Sequence, residues 1–166
     1  SSNNTMTHST RSLSHYRNAL SRRHQLTRLV WTLVWNALAR PLPRSAASGW
    51  KRWLLRRFGA TIHDTAVVYS SARVYYPKHL TMGRYACLAS DVDCYNVAPI
   101  VLKDNVTVSQ GAFLCTASHD ITDPAHRLIT APIVLEEAVW VGARAYVGMG
   151  VPIGEGAVVG ATASDY

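Results

Sequence analysis

From Leu135 onward an aliphatic residue recurs at every sixth position: Leu135, Val141, Val147, Ile153 and Val159. From the second of these on, each is followed at once by glycine: Gly142, Gly148, Gly154 and Gly160. The fourth residue after each aliphatic is small or β-branched: Val139, Ala145, Val151, Ala157 and Ala163. A period of six fits neither an amphipathic helix nor an alternating strand. It predicts an all-β chain wound as a parallel β-helix, in which each hexapeptide lays one short strand and turns a corner. The pattern extends backward through Ile62, Val68 and Val74, through Met82, Leu88 and Cys94, and through Leu102, Val108 and Leu114. Small residues follow these too, at Ala66, Ala72, Ala86, Val92, Ala98, Val106, Ala112 and Ser118.

Three hexapeptides make one triangular coil, so coils start at Ile62, Met82, Leu102, Leu135 and Ile153, about five coils with the last incomplete. Each inward aliphatic should stack on its equivalent one coil away, roughly 4.8 Å distant. The glycines are expected to supply the backbone freedom the corners need. The step from Leu102 to Leu135 is longer than the others and predicts one inserted loop, 120–134. Solenoid insertions gather on one face, often the binding face.

The residues before the repeat read differently. Residues 1–20 are rich in Ser, Thr and Asn and are expected to form a disordered tail. Residues 21–59 predict a helical segment: an apolar stripe at Leu26, Leu29, Val30, Leu33 and Ala37, ended by Pro41 and Pro43, then a second helix. That second helix has Ser48 as its N-cap candidate, Trp50, Leu54 and Phe58 as apolar positions, and Gly59 as its stop. Residues 60–166 form the β-helix domain.

Charge sharpens this division. Residues 1–60 hold eleven Lys and Arg and no acid, whereas residues 61–166 hold six basic and ten acidic residues. Three readings of the basic, Trp-rich segment stay open: a cap on the open end of the solenoid, a basic amphipathic surface resting on anionic lipid, or a targeting segment. The apolar run from Leu29 to Leu38 is too short to span a bilayer. The three cysteines (Cys87, Cys94, Cys115) are odd in number and lack C-x-x-C spacing, as expected of reduced thiols in a cytoplasmic protein.

His119 stands where the inserted loop leaves the coil. A histidine there can titrate near neutrality and take a proton from a bound hydroxyl, or it is simply a surface side chain. His119, Asp120, Asp123 and His126 are ligand types, but their spacing matches no metal site, and no metal is expected. His63 and His79 read as surface residues.

Asp93-Cys-Tyr-Asn96-Val, Val108 through Asp120 (ending Thr-Ala-Ser-His-Asp), Thr130-Ala-Pro-Ile133 and Val139-Trp-Val-Gly-Ala143 together resemble the hexapeptide-repeat O-acetyltransferases. Within them the likeness is to colanic acid biosynthesis acetyltransferases, relatives of the galactoside and maltose enzymes, and it covers residues 25–164. The resemblance implies a left-handed β-helix, a homotrimer, and acetyl-CoA as donor in a groove between prisms. It implies transfer to a sugar hydroxyl in exopolysaccharide biosynthesis, the acceptor being a sugar or a lipid-linked oligosaccharide.

In this reading His119 is the general base, and Asn96 helps hold the acceptor with Asp93, Tyr95 and Asp120 beside it. Trp140, Gly142, Ala143, Gly160, Ala161 and Thr162 line the CoA groove, the Ala143 N–H facing the developing oxyanion. Family members continue past the position of Tyr166 with another strand and a basic tail. The location expected is cytoplasmic, with contact at the inner face of a membrane through 21–59 if the lipid reading of that segment holds; no nucleic-acid partner is expected. The competing reading is a non-catalytic trimeric scaffold or binding protein.

Overall fold

The computed structural model describes residues 6–160, with the backbone alone for 6–20. Two helices come first, α1 (Met6–Leu38) and α2 (Ser48–Arg57). Fifteen short strands follow. They are β1 (Thr61–Ile62), β2 (Val67–Val68), β3 (Arg73–Val74), β4 (Leu80–Met82), β5 (Cys87–Leu88), β6 (Asp93–Tyr95), β7 (Ile100–Leu102) and β8 (Thr107–Val108). Then come β9 (Phe113–Cys115), β10 (Ala117–His119), β11 (Leu128–Thr130), β12 (Ile133–Leu135), β13 (Trp140–Val141), β14 (Tyr146–Gly148) and β15 (Val158–Val159). Three parallel sheets form the prism faces: β1-β4-β7-β12, β2-β5-β8-β13-β15 and β3-β6-β9-β14. We call them faces A, B and C.

The registers match the hexapeptide phase residue for residue. On face A, Ile62 pairs with Met82, Met82 with Leu102, Leu102 with Leu135, and Leu135 bridges to Ile153. On face C the inward column is Val74, Cys94, Leu114 and Val147. All of these are buried. Each is worth about 1.5–3 kcal/mol when removed from water, and stacking is what removes it.

Two expectations about the corners fail. The glycines that follow the aliphatics are not the corner residues of left-handed conformation. Those lie three places after the aliphatic, at Tyr85, Asn105, Ala138 and Gly156 between faces A and B, and at Asp91, Gly111 and Arg144 between B and C. The corner therefore tolerates side chains at positive φ. A glycine one place after the aliphatic has another use at Gly83, where a Cβ would lie 2.4 Å from Asp104 Oδ1 and 2.9 Å from its backbone nitrogen. The small-residue positions also fail at Ser118 and Val151, both exposed. Val151 should stack on Ser118 by the Val147–Leu114 register, but the chain has already left the prism at Ser118, so nothing lies beneath it.

The N-terminal segment also departs from expectation. Helix α1 begins at Met6, so the backbone is helical through 6–20, where a disordered tail was expected; residues 1–5 lie outside the described residues. A packed helix extends at the cost of ordering one residue per added hydrogen bond. The stripe that signalled the helix is not the one it buries: Leu26, Leu29, Val30 and Leu33 are exposed, while Trp31, Trp35 and Ala39 are buried. Ser48 is the first residue of α2 rather than its cap. The cap position is Ala47, in the left-handed conformation, and Ser48 Oγ donates instead to the Ser45 carbonyl.

The two helices close the first coil of the solenoid. An open sheet end presents unpaired carbonyls. Trp31 Nε1 donates to the Val74 carbonyl (2.7 Å) and Trp35 Nε1 to that of Ala72 (3.0 Å). Arg28 Nε reaches the Tyr75 carbonyl, Arg52 that of Ala66, and Arg56 Nε that of Ile62. Part of the segment's basic character is therefore consumed as donors to the prism. Lys51 is buried, its Nζ donating to the Arg44 carbonyl at 2.9 Å, and burial pulls its pKa down.

Candidate active site

The hairpin of β10 and β11 interrupts the helical winding at the corner between faces C and A. Its strands pair antiparallel, Ala117 with Thr130, Ser118 with Ile129 and His119 with Leu128. The corner beneath it is a stack set by the β3-β6-β9 register: Tyr76, Asn96 and Thr116. Asn96 is fully buried and spends its amide on the coil below, Oδ1 accepting from the Tyr76 N–H and Nδ2 donating to the Tyr76 carbonyl, both at 2.8 Å. Thr116 is buried as well. Its hydroxyl donates to the Tyr95 carbonyl (2.8 Å) and accepts from the Ala98 N–H (3.0 Å). The corner that launches the hairpin is thus held by side-chain amides and hydroxyls where ladder bonds run out.

His119 sits at the exposed end of β10. Its Nδ1 lies 3.0 Å from the His126 carbonyl. A carbonyl can only accept, so Nδ1 carries a proton, and in the neutral ring Nε2 is then the acceptor. The carbonyl is presented by a tight turn in which His126 adopts φ +47°. Asp120 starts that turn. Thr122 donates to its Oδ1 through Oγ1 (2.6 Å) and its N–H (2.9 Å), which holds the carboxyl below its ordinary range. Asp123 pairs with Arg127 across the same turn. The role of the His126 carbonyl was absent from the sequence reading, because only the hairpin register brings residue 126 back to residue 119.

Asp93 and Tyr95 project outward from β6 on either side of buried Cys94. They line a cleft of about 400 Å³ between face C and α1, together with Arg28, Trp35, Arg40 and Arg73. Burial pushes the Asp93 carboxyl above its ordinary value, and Arg73 offsets only part of that. Tyr95 meets Tyr75 edge to face at 4.8 Å, and the Arg28 guanidinium lies 3.3 Å from the Tyr75 ring centre. Burial raises the Tyr95 phenol pKa.

Trp140 is 55% exposed on face B, in an outward column between Thr107 and Val158. Gly142 N–H donates to the Val159 carbonyl at 2.8 Å. Ala143 is exposed in the corner that follows, between faces B and C. Gly160 is exposed at the end of the described residues; Ala161 and Thr162 lie outside them. Within one chain, Trp140, Gly142 and Ala143 are therefore a full face of the prism away from the corner that bears His119. Among the described residues no group of three His, Cys, Asp or Glu could hold a metal ion.

Parallel coils stacked on a hexapeptide phase define a β-helix protein, and the comparisons with known proteins give its kind. The model "hexapeptide repeat of succinyl-transferase" matches residues 132–162. A protein named for acetyl transfer in colanic acid biosynthesis, WcaF of Escherichia coli K12, is 39% identical over 115 residues, 69% of this chain and 63% of that one. Its counterpart from Shigella flexneri matches equally. The chain thus spans just under two thirds of the length of the curated relatives it matches.

Among solved structures, a hexapeptide-repeat acetyltransferase of Vibrio cholerae superposes with a TM-score of 0.69 at 25% identity, over 81% of this chain and 76% of that one. The same protein bound to acetyl coenzyme A gives 0.68 at 25% identity, over 81% and 73%. A maltose O-acetyltransferase of Clostridium difficile shares the fold, with a TM-score of 0.52 at 21% identity over 80% and 74%. The repeat and these neighbours imply the left-handed form of the β-helix. The repeat, these relatives and these neighbours make the chain similar to the hexapeptide-repeat acetyltransferases.

Proposed function

We propose that this chain moves an acetyl group from acetyl-CoA to a sugar hydroxyl in exopolysaccharide assembly, with His119 as general base. The observation that carries this reading is the bond from His119 Nδ1 to the His126 carbonyl. In the neutral ring this bond leaves Nε2 as the acceptor, and His119 lies on an exposed hairpin edge, which supports the reading. The acceptor hydroxyl gives its proton to Nε2 while its oxygen attacks the acetyl carbonyl carbon. The C–S bond then breaks, and the departing CoA sulfur takes the proton from the imidazolium. No acetyl-enzyme forms. The Ala143 N–H opposes the negative charge that grows on the carbonyl oxygen.

The donor lies along Trp140, Gly142, Ala143 and Gly160, and Ala161 and Thr162 are assigned to it with them. Because this line and His119 sit on different parts of one prism, the site is completed by a neighbouring copy in a homotrimer. On the acceptor side, Asp93 and Tyr95 offer a polar and an aromatic wall, and Asp120 orders the hairpin turn. Asn96 serves the acceptor through the corner it holds, since its own amide is spent on Tyr76. The reaction takes place on the cytoplasmic side, the division of labour being a basic helical segment at 21–59 and a β-helix acyltransferase domain at 60–166 with the β10–β11 hairpin as its insertion.

The test is thiol release from acetyl-CoA in the presence of hexoses and lipid-linked oligosaccharides. His119→Ala should lower kcat by about 10²–10⁴, whereas His126→Ala keeps the carbonyl and should lose far less. Near-parental kcat in His119→Ala would remove the base assignment. A folded trimer that releases no thiol with any acceptor would leave the scaffold reading in its place.

A further inference from the structure

Helix α1 is apolar on two opposite faces. At 100° per residue, Trp31, Trp35 and Ala39 share the face that packs on the prism. Leu26, Leu29, Val30, Leu33 and Ala37 fall about half a turn away, on the opposite side. Leu26, Leu29 and Leu33 are 61%, 58% and 61% exposed. A surface helix normally keeps that side polar, and a contiguous exposed stripe marks an interaction site. Past the end of α1 two further apolar side chains are exposed: Trp50 donates its indole N–H to the Leu38 carbonyl and stacks on Trp53 at 5.4 Å.

We propose that this outer face of α1, extended by Trp50 and Trp53, docks on an anionic lipid bilayer. The charge around it selects the occupant. The segment has eleven Lys and Arg and no acid through residue 60. Arg28, Lys51, Arg52 and Arg56 are engaged on backbone carbonyls. Arg22 lies on the stripe near its start and Arg23 along its border, and both are exposed. A second copy laid stripe to stripe would bring these like charges together, which costs free energy in a desolvated contact. Anionic headgroups neutralise the arginines while the acyl boundary takes the leucines, and indoles favour that same depth. No helix among the described residues is long and apolar enough to cross a membrane, so the helix lies in the plane of the interface. The surface stands whether or not the chain transfers acetyl groups.

Flotation of the full chain with vesicles tests this. With phosphatidylcholine containing roughly 30% phosphatidylglycerol the chain should float, and with phosphatidylcholine alone binding should fall about tenfold or more. Leu29→Ser with Leu33→Ser, and separately Trp53→Ala, should each weaken partition, with far-UV circular dichroism unchanged. Val134→Ser, at an exposed apolar site on face A, should float like the parent. Failure of the parent to float on anionic vesicles, or undiminished flotation of both stripe variants, overturns the proposal. So does a loss of oligomer in Leu29→Ser with Leu33→Ser, because the face would then belong to a second copy.

Discussion

Thr116→Val tests the corner that launches the hairpin. The substitution keeps the shape and removes the hydroxyl. Two bonds go with it, one donated to the Tyr95 carbonyl at 2.8 Å and one accepted from the Ala98 N–H at 3.0 Å. Their loss is unequal. The Tyr95 carbonyl still receives the Thr116 N–H at 3.1 Å. The Ala98 N–H has no such replacement and sits among buried groups, Ala98 itself being 9% exposed. An orphaned buried donor costs about 1–3 kcal/mol, and the retained bond keeps the total near that figure. Thr116→Ser keeps the hydroxyl and loses one methyl, so it should cost about 1 kcal/mol or less. Urea unfolding at fixed protein concentration reads both values, with unchanged m as the sign that only stability moved. Amide exchange at Ala98 should accelerate in Thr116→Val and stay protected in Thr116→Ser. If Thr116→Val matches the parent while Thr116→Ser falls below it, the methyl matters and the hydroxyl does not, and the account of the corner is wrong.

Val147→Asp should abolish folding, because it puts an unpaired carboxylate beside Leu114 in a buried column; Glu155→Ala, exposed one coil corner away, should melt like the parent, and equal melting of the two would refute the assigned phase. Asp93→Asn should stabilise the chain at neutral pH. Burial raises the folded-state pKa above the ordinary 3.8, so the folded state holds the proton more tightly and Asp93 destabilises once ionised; the gain from Asn should vanish as pH falls through the raised value to below 3.8, and a gain that persists in acid would sink the attribution. Light scattering should report about three times 18.3 kDa, and a clean monomer at micromolar concentration would remove the inter-subunit site.

The β-helix was legible because its cause is periodic. Each inward slot repeats every sixth residue, so Ile62, Met82, Leu102, Leu135 and Ile153 could be aligned before any coordinates, and they stack in that order. The turn chemistry was less legible. Glycine suggested the corners, yet Tyr85, Asn105 and Arg144 hold the left-handed position, a small allowed region whose local cost of about 1–2 kcal/mol the stacked coils offset. Asn96 likewise read as a ligand, when its amide closes on Tyr76 from the coil below, a partner that only stacking supplies.

The amino-acid order alone determined the period, the phase of the buried column and the sharp division of charge at residue 60. These are local or strictly repeating properties, and a linear pattern can carry them. Tertiary structure decided which face of α1 is buried, because Trp31 and Trp35 must reach the Val74 and Ala72 carbonyls at the open end. It also decided what faces His119 Nδ1, because that carbonyl belongs to His126 and returns only through the hairpin. Both depend on groups brought together across space, whose spacing along the chain follows no repeat.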